Sequence, residues 1–193
     1  MQIQRLTTIE EPTNFLIGDK INIDHYTATC QEITPKGALF LMDQYLDKPM
    51  AMNRNNSNKG GYEESDLRRA LQSEDILKIF SCIREWMVPF DNGDLLRIPY
   101  YGEMFDNNDR NDFVESDSNE QWPLMKDAHN RAASRRGDPE WGWLANTVRD
   151  SSTGFCCVYS DGDADSWDDS NVFGVRPAFQ IATYREEAET CHS

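Results

Sequence analysis

A strand–turn–strand pattern near the start of the chain most limits the folds open to this sequence. Apolar and polar residues alternate from Asp19 to Thr34, as in a strand with one buried face. Pro35-Lys-Gly37 then supplies turn residues, and the apolar run Ala38–Met42 follows directly. The order predicts two antiparallel strands joined by a tight turn.

Two helices are predicted in the middle of the chain. Ser65 can cap a short helix over Asp66–Leu71, and Ser73 can cap a longer one that Pro89 ends. The longer segment carries apolar residues at helical spacing, namely Ile76, Leu77, Phe80, Ile83 and Met87. A weaker helical pattern covers 122–136, and strands are predicted over 95–101, 141–148, 154–159 and 172–182. The predicted class is therefore α+β, with antiparallel sheets and two central helices.

The length of 193 residues predicts a single domain over 1–193, with a polar C-terminal tail over 183–193. The first residues lack the apolar core of a signal peptide, and no stretch approaches 18 apolar residues. We therefore expect a cytoplasmic protein, with a place in a virus particle as the alternative.

The formal charge of −15 limits the partners of this chain. Nucleic acids and anionic membranes repel such a protein, so direct binding to either is not expected. A protein with a basic surface, or a cell-surface glycan, fits the charge better.

One acidic segment carries most of the excess charge in the second half. It is predicted to be an exposed irregular loop, because its acids recur about every third residue, a period that neither a strand nor an α-helix keeps on one face. Arg110 is its single base, so we predict that this segment contacts the partner. Its acids are Glu103, Asp106, Asp109, Asp112, Glu115, Asp117 and Glu120.

A second acidic segment begins like a calcium-binding loop. Its aspartates are Asp161, Asp163, Asp165, Asp168 and Asp169. The sixth position of an EF-hand requires Gly and the twelfth a bidentate Glu, but Ser166 and Val172 stand there. The pattern is therefore not an EF-hand. We expect a solvated acidic turn and no cofactor, with calcium held by these aspartates as the alternative.

Several motifs, in order, resemble an uncharacterised domain family of Firmicutes and their phages that ends in Gly-Val-Arg-Pro-Ala. The motifs are Met52-Asn-Arg-Asn-Asn-Ser-Asn-Lys-Gly-Gly-Tyr62, Leu95-Leu-Arg-Ile-Pro-Tyr-Tyr-Gly-Glu-Met-Phe105, Trp141-Gly-Trp-Leu144, Phe155-Cys-Cys-Val158 and Gly174-Val-Arg-Pro-Ala-Phe179. The resemblance covers about residues 17–182. The ending is also similar to formylglycine-generating-enzyme-like and C-type-lectin-like domains, which implies a C-type-lectin-like C-terminal half.

This chain departs from that family at one motif. Many relatives carry Trp-Leu-Arg-Ser-Pro, whereas Trp143-Leu144 is followed here by Ala-Asn-Thr. The role of that Arg-Ser-Pro therefore does not transfer. The family has no settled activity, so the resemblance implies a bacterial or phage origin and little about function.

Arg176 stands in an otherwise apolar predicted strand, where a charged group needs a partner. Arg176 could bind a ligand. The alternative is a structural arginine that is hydrogen-bonded to loop carbonyls or to a carboxylate. We favour the structural role, because buried charges are normally paired.

A catalytic site is hard to assemble from this sequence. His25, His129 and His192 fall in separate segments, and none lies near a Ser or Cys with a nucleophile signature. The adjacent Cys156 and Cys157 do not look like the reactive pair of formylglycine-generating enzymes. We predict no enzymatic activity, and we expect free buried thiols in place of disulfides or zinc.

Two functions remain open from the sequence. The first is a recognition protein that engages a protein or glycan through polar acidic loops, around 53–58 and 161–171. The second is an intracellular, anti-CRISPR-like inhibitor that imitates nucleic acid and occupies a basic channel in a host defence protein. Tryptophans are crowded in the second half, where most are expected in the core and some at a binding surface: Trp122, Trp141, Trp143 and Trp167.

Overall fold

The computed structural model describes residues 6–7, 14–106, 114–115 and 117–183. In these ranges the strands are β1 (Leu6–Thr7), β2 (Lys20–Ile23), β3 (Tyr26–Thr34), β4 (Gly37–Met42), β5 (Met50–Ala51), β6 (Met87–Val88), β7 (Ala133–Arg135), β8 (Asp138–Glu140), β9 (Gly142–Thr147), β10 (Gly154–Val158), β11 (Ala164–Asp168), β12 (Val172–Phe173) and β13 (Ala178–Ile181). The α-helices are α1 (Asp66–Leu71), α2 (Glu74–Leu77), α3 (Tyr101–Met104) and α4 (Ala128–Arg131).

The largest sheet has the strand order β1-β2-β3-β4-β13-β6. Its pairs are antiparallel except for β1 with β2. The last strand of the described chain thus lies beside the early hairpin, between β4 and β6. The described residues also form a three-stranded sheet, β11-β10-β9, and two small ribbons, β12-β5 and β7-β8.

The predicted early hairpin is present, but the first predicted strand is divided. The chain turns at Asp24, whose φ of 53° is in the left-handed region that Asp tolerates, so 19–34 contributes both β2 and β3. The expected turn before Ala38 joins β3 to β4. Gly37 is needed there, because a Cβ would lie 2.1 Å from the carbonyl oxygen of Ile181.

The first of the two predicted central helices is present, and the second is not. Ser65 caps α1 by accepting a hydrogen bond from the backbone N–H of Arg68 at 3.0 Å. The long helix predicted up to Pro89 is instead α2, two 3₁₀ turns (Lys78–Phe80 and Arg84–Trp86) and β6. Its buried residues Leu77, Phe80 and Ile83 recur at three-residue intervals, a spacing that suits 3₁₀ turns as well as an α-helix.

Four other predicted elements also differ. The region 122–136 contains a 3₁₀ turn (Pro123–Lys126), α4 and β7 in place of one helix. In place of a strand, 95–101 forms an isolated bridge to β13 through Arg97 and then begins α3 at Tyr101. The acidic turn predicted after residue 161 becomes edge strand β11. The predicted strand over 172–182 is divided into β12 and β13, which lie in different sheets.

The large sheet has a hydrophobic core on each face. On one face, Phe40 and Phe179 stack at 5.7 Å, and Phe80 meets Phe179 edge-on at 5.3 Å. On the other face, Leu39 and Leu41 pack against a second cluster with residues from the 101–125 region and from β9 and β10. The described chain is thus mostly antiparallel sheet with a few short helices.

Candidate functional site

Four aromatic rings gather where β9, β10, β11 and β12 approach one another. Trp141 lies at the centre, 4.4 Å from the ring of Tyr159, 5.6 Å from Trp167 and 5.4 Å from Phe173. We call these four residues the aromatic face. Trp167 is 41% exposed and the neighbouring Val172 is 57% exposed, so the face meets solvent.

The aromatic face is fixed to the protein core. The ring of Phe173 lies 4.6 Å from that of Trp143, which is only 1% exposed. The indole N–H of Trp143 donates to the carbonyl oxygen of Met50 at 2.8 Å, and Met50 pairs with Phe173 between the two small strands. A surface held in this way needs little ordering when it binds a ligand.

A shallow pocket of about 280 Å³ opens beside the aromatic face. Trp141, Val172 and Phe173 supply its apolar wall. Its polar wall is Arg135 and Glu140, joined by an ion pair that includes an Nε–Oε2 contact of 2.8 Å. On the other side of the face, the hydroxyl of Tyr159 donates to the Asp165 carboxylate. Aromatic rings are therefore flanked by groups that can hydrogen-bond a polar ligand.

The two polar loops expected at a recognition surface do meet. The backbone N–H of Asn53 donates to the carbonyl oxygen of Asp169 at 3.1 Å, and that of Ser57 donates to the Asp169 carboxylate at 2.8 Å. The hydroxyl of Ser170 lies 3.4 Å from the side-chain oxygen of Asn56. Asp169 is buried, so it joins the loops and is not a surface acid.

The five aspartates proposed as calcium ligands do not converge. Asp165 accepts from Tyr159, and Asp168 accepts from the hydroxyl of Thr153 at 2.6 Å. Asp161 accepts from the backbone N–H of Asp163. Within the described ranges, no three acidic, His or Cys side chains are grouped so that they could hold a metal ion. The geometry lends the calcium alternative no support.

The first acidic segment is not one exposed loop. Glu103 lies in α3, is only 4% exposed and forms an ion pair with Arg97. The Asp117 carboxylate accepts from the backbone N–H of Gly102 at 2.9 Å and from the side chain of Asn146 at 2.8 Å. Burial and internal bonding therefore correct the expectation that Glu103 and Asp117 face a partner.

The remaining acids of that segment divide into two groups. Asp106, Glu115 and Glu120 are exposed. Asp109 and Asp112 lie outside the described residues. Sequence reasoning missed the partner of Glu103 because Arg97 precedes the segment and looked like part of a strand.

Arg176 is 7% exposed and bonds to backbone carbonyls. Its Nε donates to Met42 at 2.6 Å, and one terminal nitrogen donates to Asn130 at 3.0 Å and to Arg131 at 3.1 Å. Burial lowers the pKa of this guanidinium. These contacts join β4, α4 and the segment before β13, which suits a structural arginine, although the carbonyls belong to a strand and a helix and not to loops as expected.

The histidines and cysteines are spread over the described chain. His25 and His129 are exposed and lie beside Asp24 and Asp127, at 2.8 and 3.3 Å. Burial raises the pKa of the Cys157 thiol to about 12 and also raises that of its neighbour Cys156. Cys82 is exposed, unlike the buried thiols that we expected. Cys191 and His192 lie outside the described residues.

Comparison with known proteins finds no matching family model, no similar curated protein and no similar solved structure. The resemblance to the Gly-Val-Arg-Pro-Ala family therefore stays a prediction. None of the helices in the described ranges is long and apolar enough to cross a membrane.

Proposed function

We propose that this chain is a non-catalytic recognition protein that binds a glycan on its aromatic face. The observation that carries the proposal is the exposed Trp167 ring beside Trp141, in a cluster anchored to the buried Trp143. Large exposed aromatic groups held by the core are typical of binding surfaces.

The chemistry of the face suits a sugar ring. A pyranose has an apolar face of C–H groups that packs on an indole, and its hydroxyls require hydrogen-bond partners. Arg135 and Glu140 supply donors and acceptors at the edge of the pocket.

Two observations favour binding over catalysis. The buried thiols of Cys30 and Cys157, with pKa values raised to about 12, are protonated at neutral pH and so are poor nucleophiles. The described residues that line the pocket beside the aromatic face include no histidine or cysteine. The similarity of the chain's ending to C-type-lectin-like domains also supports recognition, and the family resemblance supports a phage or mobile-element origin.

A glycan array tests the proposal. The intact chain should bind a restricted set of glycans, and Trp167→Ala should remove that binding while the protein stays folded. Ile33→Ala, at an exposed apolar residue of β3, is the matched control and should bind like the parent. An array on which the intact chain binds nothing, or binds equally after Trp167→Ala, would contradict the proposal.

The charge favours a second candidate, the inhibitor that imitates nucleic acid. The chain carries a net charge of −15, and Asp106, Glu115 and Glu120 are exposed, whereas Glu103 is buried and Asp117 is half-buried and bonded within the protein. A basic partner would then associate more slowly as salt screens these charges. Changing the three exposed acids to their amides should slow association further, and a partner indifferent to salt and to this change would exclude the candidate.

A further inference from the structure

A polar cavity of about 490 Å³ lies between the large sheet and the region 124–132, away from the aromatic face. Its size is within the range of small-molecule sites, roughly 300–1,000 Å³. The residues that matter for its chemistry are Lys20, Thr29, Gln31, Asp43, His129 and Arg176.

The strand register explains why this part of the sheet is polar. Lys20 pairs with Thr29, and Thr29 pairs with Leu41, so the three side chains share the sheet face that carries the second core. Leu41 is buried in that core, whereas Lys20 and Thr29 line the cavity. The strand pairing shifts between Cys30 and Glu32, which leaves Gln31 as an extra residue in a β-bulge. Bulges commonly re-aim a side chain in this way.

The charges of the cavity are unbalanced. Asp43 accepts from Lys20 at 2.7 Å and from the hydroxyls of Thr27 and Thr29 at 2.9 and 2.6 Å. Burial raises the pKa of Asp43, but these hydrogen bonds and the lysine charge outweigh it, so the carboxyl is ionised at neutral pH. Asp43 thus forms its contact ion pair with Lys20, and its charge also acts on the more distant Arg176, so one carboxylate faces two cations.

Arg176 is the second cation of the lining. Its contacts are neutral carbonyls, and it forms no ion pair with a described carboxylate. The lining therefore carries a net positive charge inside a protein of net charge −15. A buried cation in an open polar cavity attracts an anion.

Gln31 gives an independent sign of a ligand. The residue is 1% exposed, and its side-chain N–H donates to the carbonyl oxygen of Thr29 at 3.0 Å. That bond fixes the orientation of the amide, and its oxygen is left buried without a partner among the described residues. Such an orphaned acceptor needs a donor. Its oxygen is closed to solvent, so a ligand hydroxyl reaches it only when the Gln31 side chain turns into the cavity that it lines.

We propose that this cavity binds a small hydroxylated anion, with the oxyanion against the free edge of Arg176 and a hydroxyl donated to Gln31. Sugar acids and sugar phosphates both have this chemistry. The site is independent of the aromatic face, so failure of either proposal leaves the other standing.

Calorimetric titration of the intact protein tests the site with three probes. D-glucuronate carries a carboxylate, glucose 6-phosphate carries a phosphate, and glucose carries the same hydroxyls without charge. At least one anion should bind with one-to-one stoichiometry, and glucose should bind at least roughly tenfold more weakly, the effect of one charge-assisted hydrogen bond. The anion that binds more tightly shows whether the site prefers a sugar acid or a sugar phosphate.

Variants locate the binding. Gln31→Met removes the amide acceptor at similar size and should weaken the affinity for the anion roughly tenfold. Lys20→Gln leaves the Asp43 charge uncompensated and should also weaken the affinity for the anion. Lys36→Gln removes a lysine that pairs with Asp91 on another part of the surface and is the matched control. No anion binding, glucose binding as tight as anion binding, or binding unchanged in both Gln31→Met and Lys20→Gln would overturn the proposal.

Discussion

Glu103 and Arg97 form an ion pair inside the protein, with 5% and 11% of their side chains exposed. One of the two contacts, Arg97 Nη1 to Glu103 Oε2, measures 2.7 Å. The Glu103 carboxylate also accepts from the backbone N–H of Tyr100 at 2.8 Å and so caps the start of α3. Arg97 in turn bridges to β13 through its backbone. The pair therefore attaches α3 to the large sheet.

Removing the charge of Glu103 should destabilise the fold. Glu103→Gln leaves the Arg97 charge buried and uncompensated, which costs about 3–5 kcal/mol. Urea denaturation followed by circular dichroism measures this loss. Glu120→Gln, at an exposed acid of the same segment, should unfold like the parent. If the two variants are equally stable, the Glu103–Arg97 pair does not stabilise the fold, and Glu103 is again a candidate for partner binding.

Arg176→Ala should lower the melting temperature. The substitution leaves the carbonyls of Met42, Asn130 and Arg131 without their donor, at a cost of roughly 2–4 kcal/mol. Arg136→Ala removes an exposed arginine that pairs with Asp47 and should change stability by less than about 1 kcal/mol. A variant that melts like the parent would contradict the structural role of Arg176.

Acid should destabilise the fold partly through Asp43. The pKa of this carboxyl is lower in the folded chain than its ordinary value of 3.8, so its ionised form stabilises the fold. That stability is fully present above the ordinary pKa and is lost as pH falls through the folded value. Asp43→Asn should therefore lower the melting temperature at about pH 7. Between about pH 4 and pH 2, the melting temperature of the variant should fall less than that of the parent.

The control for this pH experiment is Asp91→Asn, because 96% of the Asp91 side chain is exposed. It should melt like the parent at neutral pH. An Asp43→Asn variant whose melting temperature falls with acid as steeply as that of the parent would show that Asp43 does not contribute to the acid sensitivity.

Local patterns in the sequence predicted some of the local elements. The alternation over Asp19–Thr34, the turn and the apolar run Ala38–Met42 predicted antiparallel strands, and Ser65 marked the start of α1. The contacts that build the candidate sites join distant parts of the chain and leave no local pattern. Asp169 bonds to Ser57 across 112 residues, and Arg176 bonds to Met42 across 134 residues.

The two main errors have physical causes. A three-residue apolar period suits both an α-helix and 3₁₀ turns, so the sequence does not distinguish them. The predicted helix cannot extend to Pro89, because Met87 pairs with Ile181 in the large sheet, a contact that the local sequence does not reveal. The second error came from counting the acids of the segment from Glu103 to Glu120, which assumes that every carboxylate is exposed. Glu103 is buried because a buried arginine outside its segment neutralises it.

The central claim is that the aromatic face holds the ligand. Calorimetric titration of the intact chain, Trp167→Ala and Ile33→Ala with a glycan selected on the array, at low and at high salt, tests it most directly. Trp167→Ala should weaken binding at least roughly tenfold, since loss of the buried aromatic packing costs about 1.5–3 kcal/mol, while Ile33→Ala and added salt should change the affinity little. Binding that survives Trp167→Ala but disappears at high salt would contradict it.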